Sequence, residues 1–205
     1  MTTAPPARRV LVRRRSDAVL LLTGALLLVL AAIPVYGGHV SGAEAAVFRV
    51  VNALPLPIAV VWPVMQLGNF VVVPVAAVVA AAFRRWRLAV ELLVAGGAVY
   101  VLAKVVKRIV VRGRPDSLLG DVVIRGQGAG GLGFVSGHAA VVTALLVVAW
   151  PWLRRPARIV GVVLAVAVCL ARVHVGAHLP LDVLGGAALG LVVGGAVRLV
   201  FGHPR

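Results

Sequence analysis

The fold class this sequence predicts is all-α, a polytopic membrane bundle of about six transmembrane helices. Three observations predict it. Apolar residues make up 61% of the 205-residue chain and its mean hydropathy is +1.06, whereas soluble domains hold roughly 45–50% apolar residues. The excess falls into long runs that match a hydrocarbon core about 30 Å thick, which takes about 20 residues of helix to cross. Arginines stand in short clusters between those runs and do not spread over one face.

The first run, Ala18–Tyr36, follows the basic stretch ARRVLVRRRSD. A basic region before an apolar one resembles a secretory signal, with Ala43-Glu44-Ala45 as its cleavage site. The run is at the long end for a signal, so an uncleaved first span is the expectation. Ile58–Phe83 carries Pro63 and Pro74, each of which removes a backbone donor, and kinks are expected at both. Between these two runs, SGAEAAVFRVVNALP is weakly amphipathic and is expected to lie along the interface. Leu88–Val106 reads as the third span. Gly137–Trp152 and Ile159–Arg172 are shorter, and Leu181–Val200 closes the set. Gly186, Gly190 and Gly194 form a small-residue ladder on that last span, suited to tight packing inside the bundle more than to a dimer face. The domain organisation expected is a basic cytoplasmic tail over residues 1–17, one six-span domain over 18–201 and a short tail over 202–205.

The formal net charge of +15 raises the question of nucleic acid. The chain has no basic face with interleaved aromatics and no soluble module to form a groove, so no nucleic-acid partner is expected. Interfacial arginines answer to anionic headgroups and to the positive-inside rule. Arg8, Arg9, Arg13, Arg14 and Arg15 precede the first span, Arg84, Arg85 and Arg87 follow the second, and Arg154, Arg155 and Arg158 follow the fourth. Six spans put all of these on one side, which the rule makes cytoplasmic. The opposite side then carries Lys104, Lys107, Arg108, Arg112, Arg114, Arg125 and Arg172, against the rule. Cations kept on the wrong side call for a function. Cys169 is the single cysteine, so no internal disulfide can form.

Three outward segments hold chemistry. KRIVVRGRP places Lys107 and Arg114 seven residues apart, about two helical turns, so that both can point the same way. In GFVSGHAAV, Ser136 suits a helix N-cap with Gly137 and His138 in the first turn. Free amides at a helix start bind anions, and Gly137 lets an oxyanion come close to the backbone. In ARVHVGAHLPLDV, Arg172 ends the fifth span, and His178 and Asp182 flank the start of the sixth. Their i, i+4 spacing can set a carboxylate beside an imidazole, fixing the tautomer and making the other ring nitrogen a better nucleophile. His174 matches no role and reads as structural or as part of the rim.

In order these segments read KxxxxxxRP, SGH and RxxxxxHxxxD. The pattern resembles the type-2 phosphatidic acid phosphatase superfamily, which includes lipid phosphate phosphatases and bacterial undecaprenyl-diphosphate phosphatases. The resemblance runs from the second span to the end of the chain. Val135 stands where proline usually precedes SGH, and Ala171 where serine often precedes the arginine; neither position supplies an obligatory proton or charge. The resemblance implies an integral plasma-membrane phosphatase, its site facing the extracytoplasmic side, acting on a lipid phosphate of the polyprenyl diphosphate or phosphatidic acid class. His178 is then the nucleophile that forms a phosphohistidine, Asp182 orients it, and His138 is the general acid and base. Lys107, Arg114, Arg172, Ser136 and Gly137 bind the phosphate. Fixed cations take the part a metal pair plays elsewhere, so no metal and no cofactor is expected.

Other readings fit less well. The GxGxxG of Gly126, Gly128 and Gly131 has no flanking βαβ unit and reads as an outer loop over the site. A transporter or scaffold binding anionic headgroups gives no reason for the His178–Asp182 spacing. A vanadate-dependent haloperoxidase would share the pocket chemistry, but such relatives are generally soluble. Lipid identity, pathway and oligomeric state are left open by the sequence.

Overall fold

The structure, a computed structural model, describes residues 14–126 and 130–202. All regular structure among the described residues is helical: α1 (Arg15–Ala32), α2 (Gly42–Asn52), α3 (Ile58–Gln66), α4 (Val72–Ala82), α5 (Trp86–Ile109), the single turn α6 (Pro115–Leu118), α7 (Gly137–Ala149), α8 (Arg155–His174) and α9 (Pro180–Phe201). A 3-10 segment extends α1 to Gly38. Arg8, Arg9, Arg13, Gly128 and the last three residues of the C-terminal tail lie outside the described residues.

Among the described residues, four helices are long and apolar enough to cross a bilayer: α1 with its extension, α5, α8 and α9; α4 and the α7 region are apolar but shorter. Large apolar side chains point outward, among them Leu22, Val78 and Leu184. Small ones fill the interior, where Ala139, Ala140 and Ala144 are fully buried. That inversion of a soluble core is what lipid as solvent permits. The centre is α9, packed against α1, α7 and α5. A Cβ at Gly186 would stand 2.3 Å from the Ser136 carbonyl oxygen, one at Gly190 2.7 Å from that of Ala140, and one at Gly194 2.6 Å from Val147 Cβ. The glycine ladder is thus consumed by the α7–α9 contact.

The second apolar run departs from expectation. It is two helices, α3 and α4, separated by turns at Leu67–Val71, while Pro63 lies inside α3 and Pro74 in the first turn of α4. The break falls at Gly68-Asn69: the Asn69 side-chain oxygen accepts from the Val71 amide at 3.1 Å, a local turn that competes with helix. Gly68 is needed there because its Cβ would sit 2.7 Å from the His138 carbonyl oxygen. The segment expected at the interface is α2, capped by Ser41, whose hydroxyl accepts from the Glu44 amide at 3.2 Å. It packs on α8 and α9 through Glu44, Ala45, Phe48 and Asn52, its buried face.

The two ends of the bundle differ in charge chemistry. At one end Arg198 pairs with Asp17 at 2.7 Å, and Arg87 donates to the carbonyl oxygens of Phe201 and Gly202, tying the starts of α1 and α5 to the end of α9. The end of α5 and the starts of α7 and α9 therefore lie at the other end, where the three motif segments meet.

Candidate active site

Helix α5 stops at Ile109, and residues 110–114 run on as an extended link. Pro115 disfavours helical backbone at Arg114, which sits at φ −89°, ψ 167°. Lys107 and Arg114 thus share no continuous helix, contrary to the two-turn reading, yet they meet the same strip of chain. Lys107 Nζ donates to the carbonyl oxygens of Leu132 (2.6 Å) and Gly133 (3.3 Å). Arg114 Nε donates to those of Gly130 (3.0 Å) and Gly131 (3.1 Å), and its NH1 to Ala177 (2.7 Å). These bonds leave one proton on Lys107 and the NH2 group of Arg114 for a ligand.

Ser136 occupies the N-cap position of α7, but its side chain makes no cap bond. Its Oγ is buried and without a hydrogen-bond partner. In place of a cap bond, the Ser136 amide donates to the Asp182 carbonyl at 2.9 Å, fixing α7 against α9. A Cβ on Gly137 would meet nothing within 4 Å, so space is open beside the backbone at the first residue of α7. Arg172, at the end of α8, is buried; its NH1 touches Met65 Sδ at 3.0 Å and its Nε has no partner. Polar atoms so deeply buried normally have partners. Ser136 Oγ and Arg172 Nε are the kind of exception that a bound anion satisfies.

His178 lies in the link between α8 and α9, 2% exposed. Its Nδ1 stands 3.7 Å from Asp182 Oδ2, which leaves Nε2 on the far side of the ring. Burial pushes the imidazole down to about 4, against the pull of Asp182, with Arg172 and Arg114 adding to the depression. His138, in the first turn of α7, is within electrostatic range of Arg172, His178 and Arg114. Lys107 is in range of Arg114, Asp182 and Arg172. All eight expected residues therefore gather at one end of the bundle. A crevice of about 60 Å³ opens there, lined by Arg114, Arg172, Trp62, Met65 and Arg125 among others. Of the two readings of His174, its contacts fit the structural one: it is buried, Nδ1 lies 3.1 Å from the Val51 carbonyl oxygen and its own carbonyl accepts from Asn52.

Two residues of the site escaped the sequence reading. Arg112 is fully buried and bridges Asp182 Oδ1 (2.8 Å) and Glu44 Oε2 (2.6 Å). Burial works against its charge, but hydrogen bonds to Glu44 and the field of Asp182 hold the guanidinium above its ordinary value. Its only sequence signal was a cation on the side where the positive-inside rule wants none.

The family model for the PAP2 superfamily matches residues 88–203. An undecaprenyl-diphosphatase of Sulfolobus acidocaldarius is 30% identical over 60% of this chain and 59% of its own. A decaprenylphosphoryl-5-phosphoribose phosphatase of Mycobacterium tuberculosis is 36% identical over 55% of this chain and 62% of its own. The chain thus spans about three-fifths of the length of either relative. Among solved structures, a transmembrane PAP2-type phosphatidylglycerolphosphate phosphatase from Bacillus subtilis superposes with a TM-score of 0.70 at 24% identity, covering 90% of this chain and 95% of its own. LpxE of Aquifex aeolicus gives a TM-score of 0.70 at 23% identity, covering 77% and 95%. The chain belongs to the PAP2 superfamily.

Proposed function

We propose that this PAP2 superfamily member is an integral membrane phosphatase that releases phosphate from a lipid of the polyprenyl diphosphate or phosphatidic acid class, through a phosphohistidine on His178. The observation that carries the reading is the pair of unpartnered buried polar atoms, Ser136 Oγ and Arg172 Nε, together with the open space that a Cβ at Gly137 would enter. Those groups suit three phosphoryl oxygens that gain charge in the transition state.

In this reading His178 Nε2 attacks phosphorus as the bond to the leaving oxygen breaks, and His138 gives that oxygen a proton. Water then attacks the phosphohistidine, His138 takes its proton, and inorganic phosphate leaves with His178 restored. Asp182 stabilises the ring as it becomes cationic. Lys107, Arg114 and Arg172 supply the charge that a metal supplies in other phosphatases, so the reaction needs none.

An apolar groove of about 250 Å³, lined by Val61, Val64, Ala167, Leu170 and Ala171 among others, runs along α3 and α8 up to the neighbour of Arg172. It supports a lipid substrate, since a tail can lie there while the phosphate reaches the cations. The positive-inside rule argues that the basic end of the bundle faces the cytoplasm, and His138 and His178 the extracytoplasmic side. The test is phosphate release by the purified protein in mixed micelles with EDTA present. Sustained turnover with EDTA, inhibited by vanadate, is expected; no release from either lipid, or a strict Mg²⁺ requirement, overturns the proposal.

A further inference from the structure

Behind His178 stands a line of three buried charges. Asp182 Oδ2 faces the ring at 3.7 Å and accepts from the Leu179 amide at 2.9 Å, while Oδ1 accepts from Arg112 NH1 at 2.8 Å. The same NH1 donates to Glu44 Oε1 at 3.1 Å, NH2 donates to Glu44 Oε2 at 2.6 Å and to the His39 carbonyl at 3.0 Å, and Glu44 Oε1 also accepts from the Leu181 amide at 3.0 Å. Arg112 and Asp182 are wholly buried and Glu44 is 6% exposed. Two carboxylates and one guanidinium leave the line with a net charge of −1. Glu44 comes from α2, outside the residues that the family model matches.

We propose that Arg112 and Glu44 are positioning residues for the reaction, holding Asp182 in register with His178 and keeping one net negative charge behind the ring. This rests on the reading of His178 as the nucleophile. A plain fold staple would need the ion pair but not its terminus on the one carboxylate that faces the histidine. Arg112 fixes one oxygen of Asp182 and the Leu179 amide fixes the other, so the carboxylate cannot rotate away as the imidazole becomes cationic. Without Glu44, Arg112 would spend its whole charge on Asp182 and blunt the field at the ring. The other charges acting on His178 are Arg172 from α8, Arg114 from the link and His138 from α7; Lys107 of α5 acts on Asp182 and Arg172.

The test compares E44Q, R112Q, the double variant E44Q/R112Q and H178A, as full-length protein in mixed micelles with undecaprenyl diphosphate, reading kcat, KM and the pH profile of kcat/KM. E44Q is expected to lose about tenfold or more in kcat with KM within about threefold, because only the step that charges the ring is touched. R112Q leaves two carboxylates near the ring and should move the acid limb upward by about one pH unit. The double variant restores the net charge of −1 and should bring the limb back towards wild type while kcat stays low. The proposal is overturned if E44Q keeps kcat within about twofold of wild type, or if folded R112Q shows the wild-type limb. Should R112Q fail to fold, E44Q decides alone. Activity in H178A is a different failure, that of the nucleophile reading.

Discussion

His178 Nδ1 lies 3.7 Å from Asp182 Oδ2, and the two share one short stretch of chain across the start of α9. The gap is longer than a hydrogen bond, and catalytic pairs of this kind often tighten only in the substrate complex. Asp182 is held from three other directions, by Arg112, by the Leu179 amide and, through its carbonyl, by the Ser136 amide. The carboxylate is therefore the more firmly held of the two. His178→Ala should abolish turnover by at least about a thousandfold while the protein stays folded, since alanine is tolerated in this link. His138→Ala should form phosphoenzyme slowly and only from substrates with good leaving groups. Phosphate release assays and trapping of labelled protein as a base-stable, acid-labile adduct read both; wild-type activity in His178→Ala sinks the nucleophile assignment.

The depressed His178 value carries a pH signature. Only the neutral ring has a lone pair to attack with, and burial keeps it neutral down to about 4. The acid limb of kcat/KM, corrected for the ionisation of the substrate, should therefore fall near 4 and not near the ordinary 6.5 of histidine. The same residue makes stability pH-dependent. Below about 6.5 the unfolded chain takes up a proton that the folded ring refuses until about 4, so stability is full above that window and declines as pH falls through it. An acid limb at 6.5 or above would show that His178 is not held in this environment in the working enzyme.

Two glycines a short distance apart should respond oppositely to the same added methyl. At Gly137 a Cβ meets nothing within 4 Å. Gly137→Ala should fold with an unchanged melting temperature but lose activity about tenfold or more, because the methyl takes the path of an oxyanion to the helix-start amide. At Gly186 a Cβ would stand 2.3 Å from the Ser136 carbonyl, a backbone atom that cannot turn aside. Gly186→Ala should destabilise the bundle by about 1–3 kcal/mol through strain at the α7–α9 contact. Thermal unfolding and phosphate release measured on both proteins separate the two effects.

How much of this was legible follows from where each signal sits in the chain. Lys107, Arg114, Ser136, Gly137, His138, Arg172, His178 and Asp182 fall in three short ordered segments, and polar residues in an apolar chain stand out. The break at Gly68-Asn69 did not, because Pro63 and Pro74 are the stronger helix breakers by local chemistry. What decides against them is a tertiary contact, the closeness of Gly68 to His138. Glu44 was hidden for the same reason. Inside SGAEAAVFRVVNALP it reads as a first-turn helix charge, and only the folded chain brings it to Arg112 and to the Leu181 amide at the start of α9. Ser136 was expected to cap α7; the structure gives it the position but leaves its hydroxyl free.

Sidedness is open to direct measurement. In a Cys169-free background, single cysteines at Gly120 or Gly131 should react with an impermeant thiol reagent on intact cells. Cysteines at Arg85 or Arg155 should be protected until the cells are opened. The expectation applies the positive-inside rule to the basic end of the bundle, where Arg87 and Arg198 meet the terminal turns. The reverse labelling pattern inverts the topology and moves the site to the cytoplasm.

The last prediction concerns what the substrate carries behind its phosphate. The cations alone treat a lipid phosphate and a soluble sugar phosphate alike, so discrimination must come from the tail. Each buried methylene contributes about 0.8 kcal/mol, and two of them already give more than about tenfold in kcat/KM. The groove along α3 and α8 offers apolar walls for many more. Polyprenyl diphosphate and phosphatidic acid should therefore be hydrolysed with kcat/KM well above that for glucose 6-phosphate in the same micelles. Ala167→Trp puts a large side chain into that groove, about a helical turn from Ala171 on α8 and clear of the charged residues. It should lower kcat/KM for the lipids by about tenfold or more and leave glucose 6-phosphate within about twofold, because only tail burial is lost. Equal losses on lipid and soluble ester would mean that the tail lies elsewhere, and a preference of the wild type for the soluble ester would remove the lipid from the proposal while leaving the phosphatase.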